Sequence, residues 1–230
     1  MTWFFRDKAV MMMGILLAAG QGFLDQVHAE ELKVGVATID ITPPPGYRMA
    51  GYYSERKNTG TKDPLQAKAL VVRQGDRASA LVFCDLVGVP RAITRPVREA
   101  ASRATGIPWE NIAVGATHSH TGPLFSGVLR KHFNDSNTAA PADPYPTQLK
   151  DALVSVLIKA DAHARPARLS AGFAEEPRLS FNRRFHMKNG EVRFNPGAFN
   201  PDIVKVAGPI DPDVGMIAVR PVGEDKLSAV

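Results

Sequence analysis

Eight consecutive residues, Ala116-Thr117-His118-Ser119-His120-Thr121-Gly122-Pro123, hold the densest set of side chains able to do chemistry in this sequence. A neutral imidazole nitrogen binds transition metals, and the ring gains and loses a proton near neutral pH. In an extended segment residues two apart point the same way, so His118 and His120 are predicted to converge on one ion or one reacting group. Ser119, Thr121 and Gly122 add hydroxyls that can orient a ligand and the small side chains a site needs. Gly122-Pro123 predicts a sharp turn that keeps both rings at the mouth of a crevice. As a bare pattern, His-x-His serves as ordinary surface or core histidine about as often as it forms a site.

Metal binding in this chain falls to His, Asp, Glu and Tyr, because a single cysteine, Cys84, excludes an internal disulfide framework and a cysteine-based zinc cluster. Zinc takes three or four protein ligands, and His132, His163 and His186 lie at no recognisable spacing from the pair. A binuclear metallo-β-lactamase-like site would place Asp and His after the second histidine, where Thr121 and Gly122 stand. An amidohydrolase barrel carries its His-x-His on the first strand, whereas about three strands and a helix precede this one. Both patterns are disfavoured.

The elements that must position the pair follow from periodicity. Leu32–Ile41 alternates and is rich in β-branched residues, predicting a strand that Thr42-Pro43-Pro44-Pro45-Gly46 stops. Ala67–Arg73 and Ala78–Val87 predict two more, turned around Gln74-Gly75-Asp76, with the second central because it is nearly all apolar. A helix is predicted over Ala92–Thr105, with Ile93, Val97, Ala100, Ala101 and Ala104 at helical spacing and Gly106 ending it. Asn111–Thr117 reads as a short buried strand feeding the histidines. The plainest helix follows Pro146, with Leu149, Ala152, Leu153, Val156, Leu157 and Ala160 on one face. Strands are then predicted at Ala167–Ala174 and Val214–Val222, with a hairpin turned by Asn189-Gly190 between Phe185–Lys188 and Glu191–Phe194. The order predicts an α/β layered domain with a mixed β-sheet flanked by helices, spanning residues 30–230.

Residues 1–29 read as an address. Arg6 and Lys8 precede an apolar run, Ala9–Ala19, of 11 residues, about half of what a bilayer crossing needs. Val27-His28-Ala29 offers small residues where a signal peptidase cuts, predicting a secretory signal cleaved after Ala29, with Ala19 or Gly20 as the alternative, and a secreted or periplasmic product. With 44% hydrophobic and 22% charged residues among 230, the rest has ample material for a core. The formal charge of +5 is scattered rather than striped, which excludes nucleic acid as a partner. Leu227–Val230 begins an apolar strand, so the chain is expected to be a fragment.

Several segments, in order, resemble the N-terminal catalytic domain of the neutral/alkaline non-lysosomal ceramidase family. They are Gly35-Val-Ala-Thr-Ile-Asp-Ile-Thr-Pro-Pro44, Met49-Ala-Gly-Tyr52, Cys84-Asp-Leu86, the Ala116–Pro123 block, Asn182-Arg-Arg184 and Gly208-Pro-Ile-Asp-Pro-Asp-Val-Gly215. The histidine block is the most specific of them. The resemblance implies an exported zinc (Zn2+) hydrolase acting on a lipid amide, N-acyl sphingosine or a relative of it, with membrane-surface contact. It makes His118 a zinc ligand, His120 a catalytic histidine beside it, Gly51 a backbone wall of the substrate pocket, and Arg183 a cation that meets the substrate. The family's remaining ligands (His, Glu, Tyr) and its serine would lie beyond Val230, so the 230 residues alone are expected to bind zinc weakly and to be inactive. Thr121, Leu124 and Arg184 depart from the family's usual residues beside the pocket, which leaves another amide or an ester open as substrate. The competing expectation is a secreted non-catalytic binding or structural domain that keeps the fold without a complete site.

Overall fold

The computed structural model describes residues 30–125 and 143–228; the predicted signal segment and His132 lie outside them. The fold belongs to one compact unit, Leu32–Val230. Among the described residues its strands are β1 (Lys33–Asp40), β2 (Gln66–Gln74), β3 (Arg77–Cys84), β4 (Ile112–Ala116), β5 (Arg165–Glu175), β6 (Arg184–Met187), β7 (Val192–Phe194), β8 (Ile203–Val206) and β9 (Asp213–Pro221), and its α-helices are α1 (Arg91–Thr105) and α2 (Tyr145–Ala162). The main sheet runs β4-β3-β2-β1-β5-β9, and β7-β6-β8 form a second sheet. Among the described strands only β3 and β4 pair in parallel, with α1 in the crossover between them. The α/β layered architecture with a mixed sheet is therefore as expected. β8 was not foreseen; its Val204 and Val206 carry no turn signal that separates them from the surrounding loop.

Alternation explains which face is covered. Ala67, Ala69 and Val71 of β2, and Ala78, Ala80, Val82 and Cys84 of β3, pack in one core with Ile93, Val97 and Ala101 of α1 and Leu149, Leu153, Val156, Leu157 and Ala160 of α2. The helices thus lie on the same face of the sheet. On α1 the stripe is narrower than its periodicity predicts: Ala100 is half-buried and Ala104 exposed. Gly106 ends that helix at φ 72°, its amide donating to the Ser102 carbonyl. Helix α2 sits close against β1 at Gly35, where a Cβ would fall 1.8 Å from the Ala160 carbonyl oxygen. Among the described residues no helix is long and apolar enough to cross a membrane.

The other half of the sheet is held differently. β5 pairs with β1 through only Lys33↔Pro166 and Val34↔Arg165, then runs beside β9 for nine residues. A small core of Val34, Ala167 and Val219 marks the junction.

Candidate functional site

The histidine loop leaves the C-terminal end of β4, where open α/β sheets place their ligands. It is pinned on two sides. The Thr117 and Ser119 amides donate to the Cys84 and Leu86 carbonyls at 2.9 and 3.0 Å, tying the loop to the end of β3. On the opposite side the Ala50 amide donates to Gly122 and the Leu124 amide to Arg48, at 2.9 and 2.7 Å, and Met49 bridges Pro123. Asp85 fastens the same corner: its carboxylate accepts from the Gln66 amide at 3.0 Å and from the Thr117 hydroxyl at 3.4 Å.

His118 and His120 do converge, though not by strand alternation. His118 has φ 62°, in the left-handed region, which costs a non-glycine residue on the order of 1 kcal/mol and persists only where the surroundings enforce it. That turn directs Nδ1 of His118 to the Val87 carbonyl at 2.9 Å and leaves Nε2 facing Nε2 of His120 at 3.4 Å. The rings meet edge to face, centroids 5.1 Å apart. A donor bond from Nδ1 to a backbone carbonyl is the usual way a metal-binding histidine is held with its Nε2 lone pair outward. Two nitrogens on one tetrahedral zinc lie about 3.3 Å apart, so the pair fits two of its positions. Among the described residues no group of three or more His, Cys, Asp and Glu gathers to complete a metal site.

Gly51 stands against His120. Its φ of 85° favours glycine, and a Cβ there would lie 2.3 Å from the imidazole Cγ and Nδ1. Any side chain at position 51 would displace the ring. Tyr52 edges His120 with ring centroids 6.3 Å apart, and the Arg56 guanidinium lies 4.2 Å from the centre of the Tyr52 ring. Arg56 was missed in the sequence, where the only available signal was an aromatic and a cation four residues apart in a loop. Tyr53, by contrast, is exposed.

Arg183 lies beside the second sheet. It precedes β6, its guanidinium 4.9 Å from the centre of the Phe194 ring, and no contact among the described residues joins it to His118, His120 or Gly51. His163 ends α2 with Nδ1 3.2 Å from the Val36 carbonyl, and His186 lies within β6, so neither is near the pair in the chain's hydrogen bonding. Cys84 is fully buried, and burial pushes its thiol up to about 12, as an inert core thiol requires. Asp40 fixes the turn after β1: hydrogen bonds from the Thr42 hydroxyl and from the Thr42 amide, the latter at 2.7 Å, hold its carboxyl below the usual range.

A cavity of about 600 Å³ lies between this loop and the β1–β2 connection. Ser119 and Thr121 line it and the two histidines do not, so alternate residues of the motif serve two sides of the loop. The Ser119 and Thr121 hydroxyls are 2.8 Å apart.

No family model matches the chain. The neutral ceramidase of Pseudomonas aeruginosa is 26% identical over 220 residues, covering 91% of this chain and 30% of that protein. The crystal structure of that species' neutral ceramidase superposes with TM-score 0.64 at 25% identity, covering 86% of this chain and 31% of the other. A ceramidase complexed with C2 has the same fold, with TM-score 0.58, 24% identity, and coverage of 86% and 30%. The chain thus spans about 30% of the length of its curated relative. Over nearly all of its own length, in sequence and in fold, this chain resembles the neutral ceramidases.

Proposed function

We propose that this chain carries part of the active site of an exported, zinc-dependent hydrolase that cleaves a lipid amide, N-acyl sphingosine or a related compound. The observation that carries the reading is the His118–His120 pair: Nδ1 of His118 is tied to a backbone carbonyl and its Nε2 faces that of His120 at 3.4 Å, in the loop where the ceramidase likeness is strongest. The likeness to neutral ceramidase in sequence and fold supports it.

In this reading His118 holds the zinc through Nε2. Zinc, when bound, polarises a carbonyl and lowers the pKa of a coordinated water from ~16 toward ~7. His120, its ring seated on Gly51, orients the attacking water and takes its proton at a ring nitrogen, then delivers it to the departing amine. The water oxygen bonds to the carbonyl carbon as the C–N bond breaks, giving a carboxylic acid and an amine. Gly51 walls the pocket with its backbone, and its lack of a side chain is what lets the His120 ring seat there. Arg183 meets the substrate's polar head from the side of the second sheet. Residues 1–29 direct export, and contact with a membrane surface would bring the lipid to the site.

The test is zinc content and hydrolysis of a short-chain N-acyl sphingosine by the gene's full product, with and without His118→Ala. Both should fall together, hydrolysis by about a hundredfold or more. Zinc retained after His118→Ala refutes the ligand assignment. A folded protein that neither holds zinc nor cleaves any amide supports the competing reading, a secreted binding domain.

A further inference from the structure

The cavity on the hydroxyl side of the histidine loop has a charge pattern that the lipid-amide reading leaves unexplained. Four cations line it, Arg48, Arg56, Lys57 and Lys62, with two carboxylates, Asp63 and Asp85. Arg48 and Lys57 are engaged by Glu55, at 2.7 and 3.8 Å. Asp85 is engaged by the Gln66 amide and the Thr117 hydroxyl. Among the described residues no carboxylate lies within ion-pair distance of Arg56 or Lys62. Arg56 also stacks on Tyr52. Stacking on Tyr52 occupies one face of the guanidinium and leaves its N–H edge for a ligand. The Ser119–Thr121 hydroxyl pair shares one hydrogen between two oxygens, so the other hydroxyl hydrogen remains to donate.

A planar fork, one hydroxyl donor and an ammonium in the same cavity lining match a carboxylate. A phosphate dianion would be disfavoured by the two carboxylates in the same wall. The cavity, about 600 Å³, is the size of a small-molecule site. Tyr52 touches both ends of the arrangement, lying under Arg56 and edge-on to His120, so an anion at Arg56 sits one aromatic ring away from the reacting pair.

We propose that Arg56, with Lys62 and the Ser119–Thr121 hydroxyls, binds a carboxylate carried by the substrate, making amides of the N-acyl amino acid class better substrates than neutral amides. The proposal rests on the amide-hydrolase reading for its catalytic part alone; anion binding stands separately.

Two measurements on the full chain separate the cases. N-acetylglycine and its uncharged counterpart N-acetylglycinamide are titrated by NMR into wild type, Arg56→Gln, Arg56→Lys and Lys62→Gln. The carboxylate should bind wild type about tenfold more tightly than the uncharged amide, and Arg56→Gln should erase that preference. Arg56→Lys should restore it only in part, because charge returns without the fork. Equal binding of the two probes to wild type, or a preference that survives Arg56→Gln, overturns the proposal. Hydrolysis of N-lauroylglycine is then compared with that of a short-chain N-acyl sphingosine. The kcat/KM ratio of anionic to neutral substrate should fall about tenfold in Arg56→Gln, mainly through KM. If neither amide is cleaved while N-acetylglycine still binds through Arg56, the hydrolase reading fails and the anion site stands. Cleavage of the sphingosine amide with an unchanged ratio does the reverse.

Discussion

Strands β2 and β3 turn Ala67, Ala69, Val71, Ala78, Ala80, Val82 and Cys84 toward two helices, and every one of these residues is buried. The β5, β9 and β7-β6-β8 region leaves Phe173 80%, Phe181 72%, Phe194 61% and Phe199 102% exposed, alongside Val204, Val206, Met216 and Ile217. Both regions are strands with apolar residues in them. The difference is that helices α1 and α2 cover the first, while nothing among the described residues covers the second. The consequence for chemistry is uneven. His118, His120 and Gly51 are seated on the covered half, whose geometry the core enforces, whereas Arg183 is mounted on the open half.

This contrast can be broken most directly by stability measurements. Leu153→Ala, in the fully buried stripe of α2, should cost about 3 kcal/mol in chemical denaturation. Phe181→Ser, on the open half, should change stability by about 0.5 kcal/mol or less. A Phe181→Ser loss rivalling that of Leu153→Ala would mean the open half is covered in solution. Gly51→Ala combines a left-handed φ with a clash against the His120 ring, so about 2 kcal/mol of stability should be lost. The His120 ring resonances should shift in NMR spectra while those of α2 stay in place.

Alkaline pH offers a gentler probe of the covered half. Burial raises the Cys84 thiol from the ordinary 9.0 to about 12, so the folded state keeps a proton that the unfolded chain loses. The contribution is intact below pH 9 and declines between pH 9 and about 12, at a limiting slope of about 1.4 kcal/mol per pH unit. Tyr145, buried with its hydroxyl donating to the Ile41 carbonyl at 2.6 Å, is also raised and adds to the loss above pH 10. Denaturation midpoints of Cys84→Ala should therefore fall less steeply above pH 9 than those of wild type. The smallest effect is expected at Asp40, whose carboxyl is lowered by its bond from Thr42. Its stabilisation is present at neutral pH and is lost as pH falls below 3.8 through the lower folded value. Solvent exposure keeps it small, and Asp40→Asn should blunt the acid end of the stability profile only slightly.

Much of this arrangement was legible beforehand, for reasons that differ by residue. Leu149, Leu153, Val156, Leu157 and Ala160 read as a helix because a 3.6-residue period is a local property, and all five are buried. The Asn189-Gly190 turn followed from residues that accept unusual backbone angles, and Gly190 sits at φ 84°. Extent was harder to read. Helix α2 begins at Tyr145, before the periodic stripe, because packing against Tyr47 and Phe125 draws its first turn into the core. The narrow stripe on α1, with Ala104 exposed, reflects where the neighbouring layer stops.

The sequence by itself determined the order of the elements apart from β8, the mixed α/β class, the inert cysteine and the identity of the two histidines, since each depends on residue type and near-neighbour spacing. Tertiary structure alone decided how those histidines meet. A left-handed backbone at His118, a carbonyl from Val87 and a ring seated on Gly51 come from three segments that are distant in sequence. The placement of Arg183 over Phe194, and of Arg56 over Tyr52 beside the pair, was settled the same way. Side-chain convergence across a fold is fixed by loop paths and by which sheet face finds a covering layer, and neither leaves a periodic trace in the chain.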